Sequence, residues 1–122
     1  MNFPDVEAIC IAELSPVSSP IDVSGKWPNP LPDRHVRVWR TGGSAVNRVL
    51  ERPIITVTAK AESMGASFDI LNACRQHVLN TFGSLTLVRG VEEVGGPYYD
   101  PDPETGDDRY TFSFQLTVRA AR

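Results

Sequence analysis

Hydrophobic residues recur along this chain in two rhythms, every second position and every third or fourth, and the changes of rhythm mark out its elements. From Arg34 to Thr41, Val36 and Val38 share one face with Arg34 and Arg40, while His35, Arg37 and Trp39 share the other. Gly42-Gly43 stops this strand, and a turn over 42–51 leads to a second strand over about Pro53 to Ala61. There Ile55, Val57 and Ala59 alternate with Ile54, Thr56, Thr58 and Lys60, with Pro53 at the first position, where its missing N–H costs no ladder bond. The rhythm then changes. From Ser63 to about Phe82, the residues Phe68, Leu71, Cys74 or Arg75, Val78 and Phe82 advance by helical steps, with Ile70 and Leu79 widening the stripe. Such a helix runs about 30 Å, enough to cover four strands, and Gly83 supplies its stop. Two further strands follow. Thr86 to Val94 carries Leu87, Val88, Val91 and Val94, with Gly90 placed to mark a bulge, and Arg109 to Arg119 sets Tyr110, Phe112, Phe114, Leu116 and Val118 on one face.

A short N-terminal helix runs to about Leu14, with Val6, Ile9, Cys10 and Glu13 at helical spacing. Either Pro4 sits in its first turn or Asp5 caps it, and Pro16 ends it. Residues 15–32 then read as a proline-rich loop or arm, either reaching over a neighbour or merely flexible, and 95–108 as an acidic loop. The expected fold class is α+β: a roughly four-stranded, mainly antiparallel sheet packed by one long helix plus a short N-terminal helix.

Composition narrows this picture without redirecting it. With 122 residues the chain makes one domain, long enough to bury about two-thirds of its unfolded surface. Its formal charge of −3 argues against a general DNA-binding role, which needs a basic face to displace phosphate counterions. Met1-Asn-Phe-Pro-Asp lacks a basic start and no long apolar run follows, so neither a secretory signal nor a membrane span is expected. Cys10 and Cys74, the two cysteines, are expected as reduced core thiols in a cytosolic setting.

Three constellations invite chemistry. The acidic run Asp100-Pro-Asp-Pro-Glu-Thr-Gly-Asp-Asp has carboxylates suited to a hard cation, but Gly106 falls one place late for an EF-hand and Thr111 stands where the bidentate Glu belongs. A solvated hairpin loop is the better reading. His35 and His77 have acids nearby, Asp33 and Asp69, yet neither has a nucleophile at a recognised spacing, and no hydrolase, zincin or phosphate-loop motif is present. Arg34, Arg37, Arg40, Arg48 and Arg52 cluster around the first two strands, with only Trp39 interleaved as a stacking aromatic. These arginines suit pairing with acids of a neighbouring subunit, where a forked guanidinium fixes register. The interface candidates are therefore Arg37, Arg40, Arg48, Arg52, Glu92, Glu93, Asp100, Asp102, Glu104, Asp107, Asp108 and Arg109. No catalytic residue, cofactor or metal ligand is expected.

The order of elements resembles the tail terminator proteins of long-tailed, siphovirus-type bacteriophages. The likeness lies in Phe3-Pro-Asp-Val-Glu-Ala, Arg37-Val-Trp-Arg-Thr-Gly-Gly, Arg52-Pro-Ile-Ile-Thr-Val-Thr-Ala, Val91-Glu-Glu-Val-Gly-Gly-Pro and Pro101-Asp-Pro-Glu-Thr-Gly-Asp-Asp-Arg-Tyr-Thr-Phe, spanning nearly the whole chain. Their order and spacing carry it, no single motif being specific. The resemblance implies a structural virion protein: a homohexameric ring at the head-proximal end of the tail, assembled in the host cytoplasm. Its partners would be itself, the tail tube protein and a head–tail connector protein, without membrane or sequence-specific nucleic-acid binding. The competing readings are a head–tail connector or neck protein and a small nucleic-acid-binding α/β domain.

Overall fold

Phe112, Phe114, Leu116 and Val118 alternate on one strand and Ile55, Val57 and Ala59 on another, and pairing those strands places all seven side chains on one face of a sheet, each nearly or wholly buried. The structure, a computed structural model, describes residues 2–122. Its elements are α1 (Val6–Ser18), β1 (Val23–Ser24), β2 (His35–Ala45), β3 (Leu50–Ala61), α2 (Met64–Thr81) with a 3-10 turn (Phe82–Ser84), β4 (Val88–Tyr99) and β5 (Asp108–Arg119). The sheet has five strands in the order β1-β2-β3-β5-β4. It is therefore mixed, where four mainly antiparallel strands were expected: β1 pairs parallel to β2, and every other pair is antiparallel. A two-residue strand has no alternation to read in sequence. It exists because Val36 N–H reaches the Asp22 carbonyl at 3.1 Å and the 23–24 backbone follows the edge of β2.

Ser63 caps α2 by accepting a hydrogen bond from Ala66 N–H at 3.1 Å. The helix buries Ser67, Leu71, Cys74 and Val78, and Phe82 follows in the 3-10 turn. This stripe is narrower than the expected one, since Phe68 remains 39% exposed and Leu79 42%. Phe82 meets Phe114 edge-on at 5.7 Å, joining the helix end to the middle of β5. Each such aromatic or aliphatic side chain, fully buried, contributes about 1.5–3 kcal/mol before entropy is counted. Gly83 lies inside the 3-10 turn with no left-handed backbone, so the helix ends by tightening; the left-handed residue that follows is Leu87, at φ 73°.

At the N-terminus, Asp5 is the cap, accepting from Ala8 N–H at 3.1 Å. Pro16 does not end α1 but lies within its last turn. A proline inside a helix forfeits one bond and costs about 3 kcal/mol in an isolated one. Here Leu14 and Ser18 on either side are buried, and Ser18 Oγ meets Cys74 Sγ of α2 at 3.4 Å, so packing carries the helix past the proline. Val6, Cys10, Leu14 and Ser18 form the buried stripe.

β2 also runs on past Gly42-Gly43, which shifts register rather than stopping the strand. The guanidinium of Arg40 donates to the carbonyls of Gly42 and Gly43, each at 3.1 Å, and holds the irregularity. Gly43 adopts φ +85°, and a Cβ there would lie 2.1 Å from the Arg52 carbonyl oxygen. The turn itself is 46–49, closed by Asn47 Oδ1 accepting from Val49 and Leu50 N–H, both at 2.9 Å. Pro53 is not a first residue but stands within β3, where direct pairing with β5 is interrupted at 52–53. The Gln115 side-chain amide donates to the Arg52 carbonyl at 3.1 Å and fills that gap. β4 and β5 likewise take ends of the segment expected as a loop over 95–108, leaving 100–107 as the connection.

Gly43→Ala is expected to destabilise the fold by about 1–3 kcal/mol, because the side chain adds left-handed strain to a backbone collision. Gly83→Ala, in open helical surroundings, is expected to be neutral or stabilising by up to about 1 kcal/mol. Urea unfolding of the two variants against the parent chain checks both signs.

Candidate functional site

Strand register places Arg48 and the 100–107 loop at opposite ends of the sheet, with Arg40, Glu92 and Glu93 near its middle. At one end Leu50 lies beside Arg119 and Val88 beside Val118, so the β2–β3 turn with Arg48 stands there. At the other, His35 pairs with Lys60, Ala61 with Asp108 and Tyr99 with Tyr110, so the 100–107 loop stands there. The basic turn and the acidic loop therefore do not meet within one chain.

Several candidates are occupied internally. Arg40 pairs with the largely buried Glu51 at 3.2 Å, in addition to its bonds to Gly42 and Gly43. Arg75 of α2 holds Glu93 of β4 by two bonds of 2.5 and 3.0 Å. That hydrogen-bonded guanidinium keeps the Glu93 carboxyl below its ordinary range. Arg52 and Glu92 pair at 3.3 Å, but both are well exposed, and such a pair contributes at most about 1 kcal/mol. Asp102 folds the acidic loop on itself: its Oδ1 accepts from Glu104 N–H at 2.8 Å and Thr105 N–H at 3.4 Å, and its Oδ2 meets Arg109 at 2.9 Å. The backbone N–H of Glu104 is the largest cause holding its pKa down, with Thr105 and Arg109 adding to it. Asp108 accepts from the Tyr99 hydroxyl. Arg48 has no ion pair among the described residues, and Asp100, Glu104 and Asp107 likewise have none.

The sheet face opposite α2 carries a polar layer. Thr56 lies between Thr41 and Ser113 at 2.9 and 2.8 Å, and Thr58 bonds Thr111 at 2.9 Å. Residues 25–32, within the segment expected as an arm, and the adjoining Asp33 fasten over this layer on their own subunit. Arg37 Nε donates to the Gly25 carbonyl at 3.1 Å, and Lys60 Nζ donates to the carbonyls of Pro32 and Asp33 at 3.0 and 3.1 Å. Trp27 stacks beneath Arg109 at 4.3 Å and tilts against His35 at 5.7 Å, while Arg37 covers Trp39 at 3.9 Å. Arg37 and Arg109 are thus committed to stacking, each worth about 0.5–2 kcal/mol.

Chemically the surface is quiet. Among the described residues there is no pocket, and no group of three or more His, Cys, Asp or Glu placed to hold a metal ion. Cys10 and Cys74 are free and buried; burial, with Glu13 and Glu7, pushes the Cys10 thiol up to about 12, and burial also raises Cys74. Burial that keeps a thiol protonated lowers its reactivity. No described helix is long and apolar enough to cross a membrane. What sequence reasoning missed is a pair of exposed aromatics at the acidic end, Phe68 and Tyr99, both resting on the half-buried Tyr110. The signal was Tyr98-Tyr99 beside a charged loop, where no core is available to take them.

The fold is a sheet–helix scaffold whose two ends carry unlike charge. Residues 2–122 match the family model described as phage tail termination protein, and the chain belongs to that family. It is accordingly a component of the phage tail. No curated protein matches it.

His35 lies beneath the arm, in contact with Ser24 and Trp27. Its ring is buried, Nε2 meets Ser24 Oγ at 2.7 Å, and Nδ1 has no partner among the described residues. Burial lowers its pKa, with Asp22 offsetting part of the effect. The unfolded chain therefore takes up this proton first, and stability falls as pH drops below about 6.5. Glu93 and Asp102, whose pKa values are depressed, lose their contribution only below about pH 4. Urea midpoints measured between pH 7.5 and 5.5 should fall for the parent chain, and His35→Gln should flatten that slope.

Proposed function

We propose that this protein caps the phage tail tube as a homohexameric ring, stops its polymerisation and forms the surface to which the head joins. The observation that carries this reading is the family match over residues 2–122. A closed ring of more than two copies needs a head-to-tail contact between two different patches on each subunit. The opposite placement of the basic turn and the acidic loop suits that requirement. The partners on this reading are further copies of the chain, the tail tube protein and a head–tail connector protein. Its place is the head-proximal end of a siphovirus-type tail, assembled in the host cytoplasm. The role is structural and calls for no cofactor, no catalysis and no sequence-specific nucleic-acid contact.

Electron microscopy of the parent phage carrying a null allele tests it. Headless tubes of uncontrolled, excess length are the expected outcome. Tails of normal length that fail to join filled heads would make the protein a connector instead, and normal virions would end the assembly reading.

A further inference from the structure

Both ends of the sheet carry apolar side chains that the same chain leaves uncovered. At the acidic end the exposed Phe68 of α2 and Tyr99 of β4 both rest on the half-buried Tyr110 of β5, Phe68 edge-on at 5.3 Å and Tyr99 at 5.6 Å. Met64, 48% exposed, lies one helical turn before Phe68 and extends the patch. Asp69 follows Phe68 on the helix and Asp108 holds the Tyr99 hydroxyl, so the patch has an acidic rim. Exposed aromatics and methionine within a polar border are the composition of an interface core.

At the hairpin end, Val46 is 60% exposed, the most exposed of the large hydrophobic residues described. Arg48 stands two residues on without an ion pair, and Arg52, Arg119 and Arg122 share that end. Twelve-residue strands separate the two ends by about 35 Å at ~3.3 Å per residue, so one copy does not bring its own turn to its own patch. The sheet's outer edge offers a poorer contact. β4 is broken by three register shifts and carries Gly95-Gly96-Pro97, devices that discourage a further strand from pairing.

We propose that the β2–β3 turn of one copy docks on the aromatic patch of a second copy, Val46 against Met64, Phe68, Tyr99 and Tyr110, with Arg48 facing the acidic rim. The inference rests on the ring reading and names the surface through which neighbours join. The apolar contact supplies affinity, and the opposite charges at the two ends fix the head-to-tail direction. Sheet edges take no part in it. Arg40, held by Glu51 and by the Gly42 and Gly43 carbonyls, also stays out of the contact.

The test uses tails purified from the parent phage carrying Val46→Cys together with Met64→Cys, treated with a short bismaleimide; the native thiols are buried and do not compete. A ladder of crosslinked copies, absent from either single-cysteine phage, is the expected result. In the otherwise native protein, Arg48→Glu and Phe68→Ser should each weaken self-association about tenfold or more, read by native mass spectrometry, while circular dichroism stays unchanged. Tails that hold the oligomer yet give no ladder would overturn this surface and leave the ring standing. Crosslinks to the tube protein in place of a second copy would overturn the occupant. Tails that contain no copy of the chain would overturn the ring reading and this contact together.

Discussion

The structure depends on the contact between the narrow stripe of α2 and the inner face of β3 and β5. Leu71, Cys74, Val78 and Phe82 sit against Ile55, Val57, Phe112 and Phe114, all fully buried. The helix must lie across the two central strands for both sets to leave water. Everything else is arranged around that layer. α1 stacks beside α2 through Cys10, Leu14 and Ser18, and β2 and β4 extend the sheet on either side. The stripe is only wide enough for these contacts, so Phe68 and Leu79 remain outside it.

Because one face of the sheet is covered by helices, the other needs a different solution. A row of threonines and a serine bond to one another across β2, β3 and β5, which satisfies their hydroxyls without water. The 25–33 segment closes over them through backbone carbonyls accepting from Arg37 and Lys60. Trp27, half-buried between His35 and Arg109, acts as the fastener. The ends of the sheet are left open by this arrangement, and their opposite charges give the subunit a direction.

The fold was legible where burial follows a strong local period. β5, the centre of β3 and the body of α2 stand where alternation and helical spacing placed them, because a side chain's face follows directly from backbone geometry. Reading failed where packing overrode local signals. Pro16 stays helical because Ser18 is anchored to Cys74, and β2 continues past Gly42-Gly43 because Arg40 ties the irregularity together. The candidate site was half legible. Charge showed which residues were polar ends, but the internal partners of Arg40 across its hairpin, of Glu93 on α2 and of Asp102 across its loop follow from the folded backbone and not from spacing alone.

By itself, then, the sequence determined an α+β chain with one long helix, strongly alternating strands, a basic first hairpin and an acidic late loop. Those properties reside in neighbours along the chain, where hydrophobic period and charge are written directly. Tertiary structure alone decided the parallel β1, the clasp of Trp27 on its own sheet, and which charges are spent within the subunit. It also decided that Arg48 and the 100–107 loop stand at opposite ends. Strand register sets that separation, and register depends on which residues far apart in sequence pair to bury a common face.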